Sequence, residues 1–213
     1  MHKLLIIGAS GGIGRRTVER ALADGHAVRA VARRASAIDI DDPQLEKCDI
    51  DATDAKALRP ALDGVSVVIQ AIGVAPSLAR TLRPVDLFSK STAALLPEMA
   101  RAGLRRLVSV TGFGAGDSRT AMSFLERTGH RALLGRAYDD KDTQEAMIRE
   151  SDLDWLIVRP TILTNRPARG AYKVLLDPAE WRNGLIARAD VADFLVREAV
   201  TPRHSRTTPV LTN

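Results

Sequence analysis

Four glycines near the N-terminus form the pattern with the clearest chemical meaning. The run Gly8-Ala9-Ser10-Gly11-Gly12-Ile13-Gly14 lies between a short apolar segment and an amphipathic one. Between a strand and a helix, such glycines permit a tight turn, a close backbone approach to a pyrophosphate, and close packing of the helix on the sheet. A turn that only needed positive φ would explain one of these glycines well and the full set poorly. We therefore expect a dinucleotide to contact Gly8, Ser10, Gly11, Gly12, Ile13 and Gly14.

The residues after the next apolar segment indicate which dinucleotide binds. Arg33 and Arg34 follow the segment 27–32, where an NAD-specific site usually has an Asp or Glu for the ribose 2′-hydroxyl. A guanidinium suits a 2′-phosphate instead, because its planar fork binds oxyanions in a bidentate manner. We therefore predict NADP(H), with Arg33 as the principal ligand and Arg34 as a second ligand or a solvated surface charge.

These residues must be positioned by a regular alternation of short apolar runs and longer amphipathic segments, which is typical of βαβ units. Strands are predicted at 4–7, 27–32, 45–50, 65–71, 107–111, 155–158 and 208–211. Helices are predicted at 13–22, 54–62, 85–102, 140–151 and 190–200. The pattern predicts a single α/β domain over residues 1–213, a Rossmann-type doubly wound and mostly parallel sheet with helices on both faces.

Two segments, 112–135 and 164–184, do not fit this alternation. Both follow the C-terminal ends of predicted strands, which is where open α/β sheets bind their ligands. We therefore expect both segments to form the walls of a substrate site.

Composition excludes several other classes of protein. The chain has 213 residues and one cysteine, Cys48, so it forms no intrachain disulfide, and this favours a reducing cytoplasm. It contains no recognisable signal peptide and no apolar run long enough for a membrane span. The net charge is +5, but the arginines are scattered, which favours an anionic cofactor or substrate over nucleic acid. The four histidines have no metal-ligand spacing, so no metal is expected.

The glycine spacing resembles that of the short-chain dehydrogenase/reductase superfamily, and the C-terminal half narrows the resemblance. The matching segments are Asp140-Lys141 with Glu145, the run 148–155, a strand that ends in Arg159-Pro160, and the run 189–194. Together they resemble the atypical branch of the superfamily, which includes biliverdin reductase B-like and NmrA-like proteins. The resemblance covers nearly the whole chain and implies a family rather than a substrate.

The resemblance also implies further cofactor contacts at three strand ends. These are an adenine contact from Asp49-Ile50, a backbone contact from Ala71-Ile72-Gly73, and a nicotinamide contact from the backbone of Pro160-Thr161-Ile162. The Asn that the superfamily has before its Ala-Gly is replaced by Gln70 or Ala71. Asp49 has an alternative as a helix cap or a loop carboxylate.

Catalysis in the main superfamily uses Tyr-x-x-x-Lys and an upstream Ser or Thr, in which the tyrosine transfers a proton and the lysine lowers the tyrosine pKa. Tyr138 is one residue too close to Lys141, and Ala137 occupies the matching position. Tyr138 is therefore a candidate proton donor, with the alternative that this role is absent. Lys141 is a candidate for the nicotinamide ribose, or a surface lysine paired with Glu145. Thr111 matches the Ser/Thr position better than Ser109. Its hydroxyl is a candidate hydrogen-bond partner for a substrate carbonyl or the carboxamide, with the alternative that it only bonds the backbone.

Three functions are compatible with these residues. The first is an NADPH-dependent reductase that transfers hydride to a small-molecule acceptor such as a flavin, a quinone or a carbonyl compound, which predicts an open pocket beside the nicotinamide. The second is a non-catalytic NADP(H)-sensing regulator of the NmrA-like type, which predicts a filled pocket and an exposed apolar patch. The third is an epimerase or dehydratase, for which Tyr-x-x-x-Lys is missing. We expect a monomer, with a homodimer as the alternative.

Overall fold

Short aliphatic segments form the strands of a mostly parallel sheet in the computed structural model. The structure describes residues 1–74 and 85–213, excluding the side chains of residues 124, 125, 130 and 132–134. In chain order the strands are β1 (Lys3–Ile7), β2 (Ala27–Ala32), β3 (Leu45–Asp49), β4 (Val67–Gln70), β5 (Arg106–Val110), β6 (Asp154–Pro160), β7 (Ile162–Thr164), β8 (Lys173–Leu175), β9 (Leu185–Ala187) and β10 (Val210–Thr212).

Eight of these strands form one sheet in the order β3-β2-β1-β4-β5-β6-β10-β8, and β7 pairs with β9 in a separate ribbon. The first six follow the order 3-2-1-4-5-6 of a dinucleotide-binding Rossmann sheet. All the paired strands run parallel except β8, which is antiparallel to β10 at the edge. The predicted fold class is therefore confirmed, and the point between β1 and β4 where the strand order reverses lies beside the glycine run.

Helices cover both faces of this sheet. They are α1 (Gly12–Ala23), α2 (Ala55–Ala61), α3 (Leu87–Arg101), α4 (Phe124–Glu150) and α5 (Arg188–Val200).

The alternation of side chains along β1 shows how the two faces are built. Leu4 and Ile6 pack with buried residues of α1 and α5, whereas Leu5 and Ile7 pack with buried residues of α2, α3 and α4. A strand buried on both faces needs apolar residues at every position. None of the helices in the described ranges is long and apolar enough to cross a membrane.

The sequence-based prediction was wrong about α4, which begins sixteen residues before the predicted start at 140. Ser123 caps it, because its hydroxyl accepts a hydrogen bond from Glu126 N while the Glu126 carboxylate accepts one from Ser123 N at 2.8 Å. This reciprocal capping box was present in the sequence but was obscured by Gly129 and Gly135, which have low helix propensity. The segment 112–135 therefore consists of a 3₁₀ turn at Gly116–Ala121 followed by the first turns of α4.

The segment 164–184 is also partly regular, since it contains β8 and a 3₁₀ turn at Pro178–Glu180. Its first part folds back on α5, where Asp190 Oδ1 accepts hydrogen bonds from the backbone N–H groups of Arg169 and Gly170 at 2.9 Å. Tyr172 donates a hydrogen bond to Asp193 on the same helix at 2.8 Å. Much of this segment therefore covers α5.

Candidate functional site

Gly8 and Gly14 are required by the geometry of the turn between β1 and α1. Gly8 has φ +86°, and a Cβ there would lie 2.6 Å from the carbonyl oxygen of Ala71. A Cβ on Gly14 would lie 2.1 Å from the carbonyl oxygen of Gly8. Both contacts involve backbone atoms, which have no room to move without displacing β1 or β4. The tight turn and the close helix packing that we expected at these two positions are therefore present.

The first turn of α1 opens into a cleft. Gly11 is the N-cap residue and no side chain caps the helix, so the exposed N–H groups and the positive end of the helix dipole face this space. The cleft has a volume of about 460 Å³. It is lined by Ser10, Gly11, Gly12, Arg15, Arg16, Glu19, Asn165 and Arg188. Ile13, in contrast, packs partly buried against the core.

Arg188 is a functional candidate that the sequence analysis missed. It is the first residue of α5, and its Nε would lie 2.7 Å from a Cβ built on Gly12. Its Nη1 donates a hydrogen bond to Asn165 Oδ1 at 2.8 Å across the cleft. The absence of a side chain at Gly12 therefore leaves room for the guanidinium group of Arg188. The sequence signal was an arginine directly before the run 189–194, which we had used only as part of the family resemblance.

Arg33 and Arg34 are exposed after β2 and lie close to the glycine turn, because Gly8 N donates to Val31 O at 2.9 Å. The turn after them is held by Asp49, whose two carboxylate oxygens accept hydrogen bonds from Ser36 N and Ser36 Oγ, both at 2.7 Å. These two hydrogen bonds hold the pKa of Asp49 below its usual value. Asp49 therefore positions the loop that carries the arginines, and its contact with adenine stays a prediction.

The segment after β4 packs against the glycine turn between β1 and α1. Ala71 is buried and donates from its N to Ile7 O at 2.8 Å, Ile72 is partly buried, and Gly73 is exposed. Ile50, which follows β3, is partly buried and donates from its N to Ala32 O at 3.0 Å.

Gln70 does not take the place of the superfamily Asn, because its side chain points into a buried polar cluster. Its Oε1 accepts hydrogen bonds from Ser109 Oγ at 3.2 Å and Gln144 Nε2 at 3.0 Å, and its Nε2 donates to Ser91 Oγ at 3.2 Å. Ser109 is therefore used inside the protein, which leaves Thr111 as the strand-end hydroxyl nearer the site.

Tyr138 and Lys141 lie side by side at the carboxyl end of β5. Lys141 Nζ is 4.7 Å from the centre of the Tyr138 ring and 5.1 Å from that of Phe88. A Cβ on Gly112 would lie 2.6 Å from the Tyr138 hydroxyl and 3.5 Å from Lys141 Nζ. The three-residue spacing places both side chains on one face of α4, as the sequence suggested.

Burial perturbs the protonation of both groups. Desolvation lowers the pKa of Lys141 to about 8, against the opposing effect of the negative charge of Glu145. Desolvation raises the pKa of Tyr138 to about 12, and Glu145 adds to that increase. At neutral pH the tyrosine is therefore a hydrogen-bond donor, and the lysine is charged but titrates close to the physiological range.

A buried ion pair supports this part of the site. Arg159, fully buried on β6, donates to Glu145 Oε1 from Nε at 3.0 Å and to Oε2 from Nη2 at 2.5 Å. Glu145 Oε1 also accepts from Thr111 Oγ1 at 2.7 Å, while Thr111 O accepts from Lys141 Nζ at 2.5 Å. The alternative of a surface pair between Lys141 and Glu145 is therefore wrong, since Glu145 is buried and binds Arg159 instead.

Residues 8–202, most of the chain, match the model of a protein family described as NAD(P)H-binding. The chain belongs to this NAD(P)H-binding family. The cradle on β1 and α1 fits a dinucleotide, since its backbone needs glycine at two positions and its uncapped helix faces a cationic cleft.

Similar proteins support the family assignment. An uncharacterized chloroplastic protein of Arabidopsis thaliana is 28% identical over 200 residues, which cover 91% of this chain and 70% of that protein. ChuY of Escherichia coli O157:H7, named an anaerobilin reductase, has a structure with TM-score 0.82 and 28% identity, covering 99% of this chain and 96% of that one. A Veillonella parvula short-chain dehydrogenase/reductase in complex with NADP has TM-score 0.84, with 100% and 95% covered. At 17% identity it shares the fold alone.

The resemblance implied a nicotinamide contact from the backbone at the end of β6, but this backbone already forms hydrogen bonds within the protein. Pro160 O accepts from Phe113 N at 3.0 Å, and the N–H groups of Thr161 and Ile162 donate to Leu211 O and Gly184 O at 3.0 and 3.1 Å. The side chain of Ile162 is 56% exposed, so it rather than these N–H groups faces solvent. The described residues contain no cluster that could hold a metal ion. His130, a histidine of the segment 112–135 whose side chain is of a type that can act as an acid or base, has that side chain outside the described part of the chain.

Proposed function

We propose that this protein is an NADPH-dependent oxidoreductase of the atypical short-chain type that transfers hydride to a small acceptor, such as a flavin, a quinone or a carbonyl compound. The observation that carries the proposal is the adjacency of Tyr138 and Lys141 at Gly112, on the same sheet edge as the glycine turn. The reductase name of the ChuY relative supports it and adds anaerobilin to the acceptors worth testing.

The residues have separable roles in this proposal. The bound nicotinamide supplies the hydride, and the chain supplies binding, orientation and exclusion of water. The uncapped end of α1 and Arg188 bind the pyrophosphate, and Arg33 binds the 2′-phosphate. In this proposal Lys141 holds the nicotinamide ribose, and the Tyr138 hydroxyl, which stays protonated at neutral pH, donates a hydrogen bond to an acceptor oxygen.

Thr111 has a supporting role in the same proposal. Its hydroxyl proton is donated to Glu145, so it acts on Lys141 through its carbonyl oxygen rather than on the acceptor through its hydroxyl. An acceptor that takes hydride without strong general-acid help, such as a flavin or a quinone, fits a chain with Ala137 at the usual tyrosine position.

A non-catalytic NADP(H)-sensing role is the second candidate, and one observation favours it. The Phe88 and Tyr138 rings enclose the ammonium group of Lys141, so that this part of the site is filled. A sensor would bind the cofactor tightly without turnover.

Turnover of an acceptor panel separates the two candidates. We expect oxidation of NADPH above the rate without enzyme, faster than that of NADH, with at least one of flavins, quinones, biliverdin, anaerobilin and simple carbonyls.

Binding of NADPH, followed by fluorescence titration, should weaken as the pH rises through about 8, because Lys141 loses its charge there. Lys141→Met should lower turnover and remove that pH dependence. Tight NADPH binding without turnover on any acceptor would favour the sensor.

Arg33→Ala tests the preference for NADP(H). If Arg33 binds the 2′-phosphate, its loss removes a charge-assisted hydrogen bond and should weaken NADPH binding about 10- to 100-fold. NADH lacks this phosphate, so its dissociation constant should change by less than about 2-fold in the same fluorescence titration. Arg34→Ala is the matched control and should have the smaller effect. An equal loss for both cofactors would contradict the assignment.

A further inference from the structure

A small cationic pocket lies beside Tyr138, outside the dinucleotide cleft. Its volume is about 90 Å³, enough for one carboxylate or phosphate group. It is lined by Arg119, Arg127, Arg131, Gly135, Tyr138 and Asp139. Five of these residues lie on α4, and Arg119 comes from the 3₁₀ turn before it. Three guanidinium groups thus face one carboxylate.

Two of these arginines have positive charge that the protein leaves uncompensated. Arg119 is paired with Asp142 at 2.6 Å and lies 3.8 Å from Asp139. Arg127 donates to the carbonyl oxygen of Met122 at 3.1 Å. Neither Arg127 nor Arg131 has a carboxylate partner within the ranges 1–74 and 85–213.

The spacing of these arginines costs stability in the absence of a ligand. Arg127 and Arg131 are four residues apart on α4, and like charges at this spacing repel each other. Gly135, four residues further on, extends the same face and has no side chain to fill the pocket, since a Cβ there would meet Arg131 Cγ at 3.4 Å. The glycine weakens the helix and the two arginines repel each other. A bound anion would reduce this repulsion and so stabilise this part of α4.

The position of the pocket connects it to the reacting groups. Tyr138 lines the pocket, and its hydroxyl and ring also contact Gly112 and Lys141. An anion between Arg127 and Arg131 is therefore separated from Lys141 by one side chain.

We propose that Arg127 and Arg131 form a subsite for the acidic group, a carboxylate or a phosphate, of the electron acceptor. Guanidinium groups bind such oxyanions through paired hydrogen bonds and anchor the acceptor beside Tyr138. This inference rests on the proposed reductase function, since it assumes that the molecule bound there accepts the hydride.

Matched pairs of flavins test the subsite without turnover. FMN and riboflavin differ by a phosphate, and 10-carboxymethylflavin and its methyl ester differ by a carboxylate charge, so the two pairs distinguish the two oxyanions. Dissociation constants come from quenching of flavin fluorescence with NADP⁺ at saturation, which fills the dinucleotide cleft and reduces nothing. We expect at least one acidic flavin to bind about 10- to 100-fold more tightly than its neutral partner.

The double variant Arg127→Gln/Arg131→Gln should lose most of this preference while the neutral flavins bind as before. Arg105→Gln is the matched control, because it removes the same charge at the amino end of β5 and should keep the preference. Equal affinities within both pairs, or a preference that survives in a folded double variant, would overturn the subsite. The subsite stands if the preference is present without any NADPH-driven reduction, and the hydride-transfer proposal alone then fails. If an acceptor is turned over but neither flavin pair shows a preference for its acidic member, the subsite fails and the hydride-transfer proposal stands.

Discussion

Gly14→Ala should nearly abolish NADPH binding and lower the free energy of unfolding by about 3 kcal/mol or more. The added Cβ would lie 2.1 Å from the carbonyl oxygen of Gly8 and 3.1 Å from the Cα of Ala9. Because both are backbone atoms, α1 must move away from β1, and that movement displaces the N–H groups that face the cleft. Urea unfolding and a fluorescence titration with NADPH measure the two effects.

Gly129→Ala is the matched control for this substitution. Gly129 lies in α4, and a Cβ there would meet nothing within 4 Å. Alanine favours helix over glycine, so this variant should gain about 0.5–1 kcal/mol and keep its affinity for NADPH. Wild-type stability and affinity in Gly14→Ala would contradict the packing role of Gly14, whatever the control shows.

Glu145→Ala should cost about 3–5 kcal/mol of folding stability, because it leaves the buried guanidinium of Arg159 without its bidentate partner. Asp117 is then the remaining partner of Arg159, through a 2.6 Å contact to Nη1. The hydroxyl of Thr111 also loses its acceptor. Removal of the Glu145 charge should lower the pKa of Lys141 further, so the weakening of NADPH binding should begin at a lower pH than in the wild type.

A second substitution makes this prediction specific to the ion pair. Replacing both partners, as in Glu145→Leu/Arg159→Met, removes the uncompensated charge and should recover much of the stability lost in Glu145→Ala, as measured by urea unfolding. Lys90→Ala, which breaks the exposed pair between Lys90 and Asp86, should leave the unfolding midpoint unchanged. If the double variant is as unstable as Glu145→Ala, the cost comes from lost packing volume instead.

Local sequence was sufficient for seven of the eight strands of the main sheet and for the glycine turn, whereas β8 was not predicted. A buried parallel strand needs an unbroken apolar run, and a turn that brings α1 against Gly8 needs glycine at a fixed spacing, so both leave a mark within a few residues. The run 27–32 was predicted with the boundaries that β2 has. Where the local signal was mixed, as in α4 with its two glycines, the prediction was wrong by several turns.

The fold class, the family and the position of the dinucleotide cradle could be predicted from the sequence alone, because each leaves a recognisable pattern within a few consecutive residues. The partners of the charged residues, in contrast, became clear from the three-dimensional structure. Glu145 binds Arg159 from another element instead of Lys141 on its own helix, and Arg188 reaches Gly12 from the far end of the chain. Arg119 and Arg127 converge only because the turn before α4 folds back on it. The direction of a long side chain depends on how helices pack on the sheet, and no short pattern of residues encodes that packing.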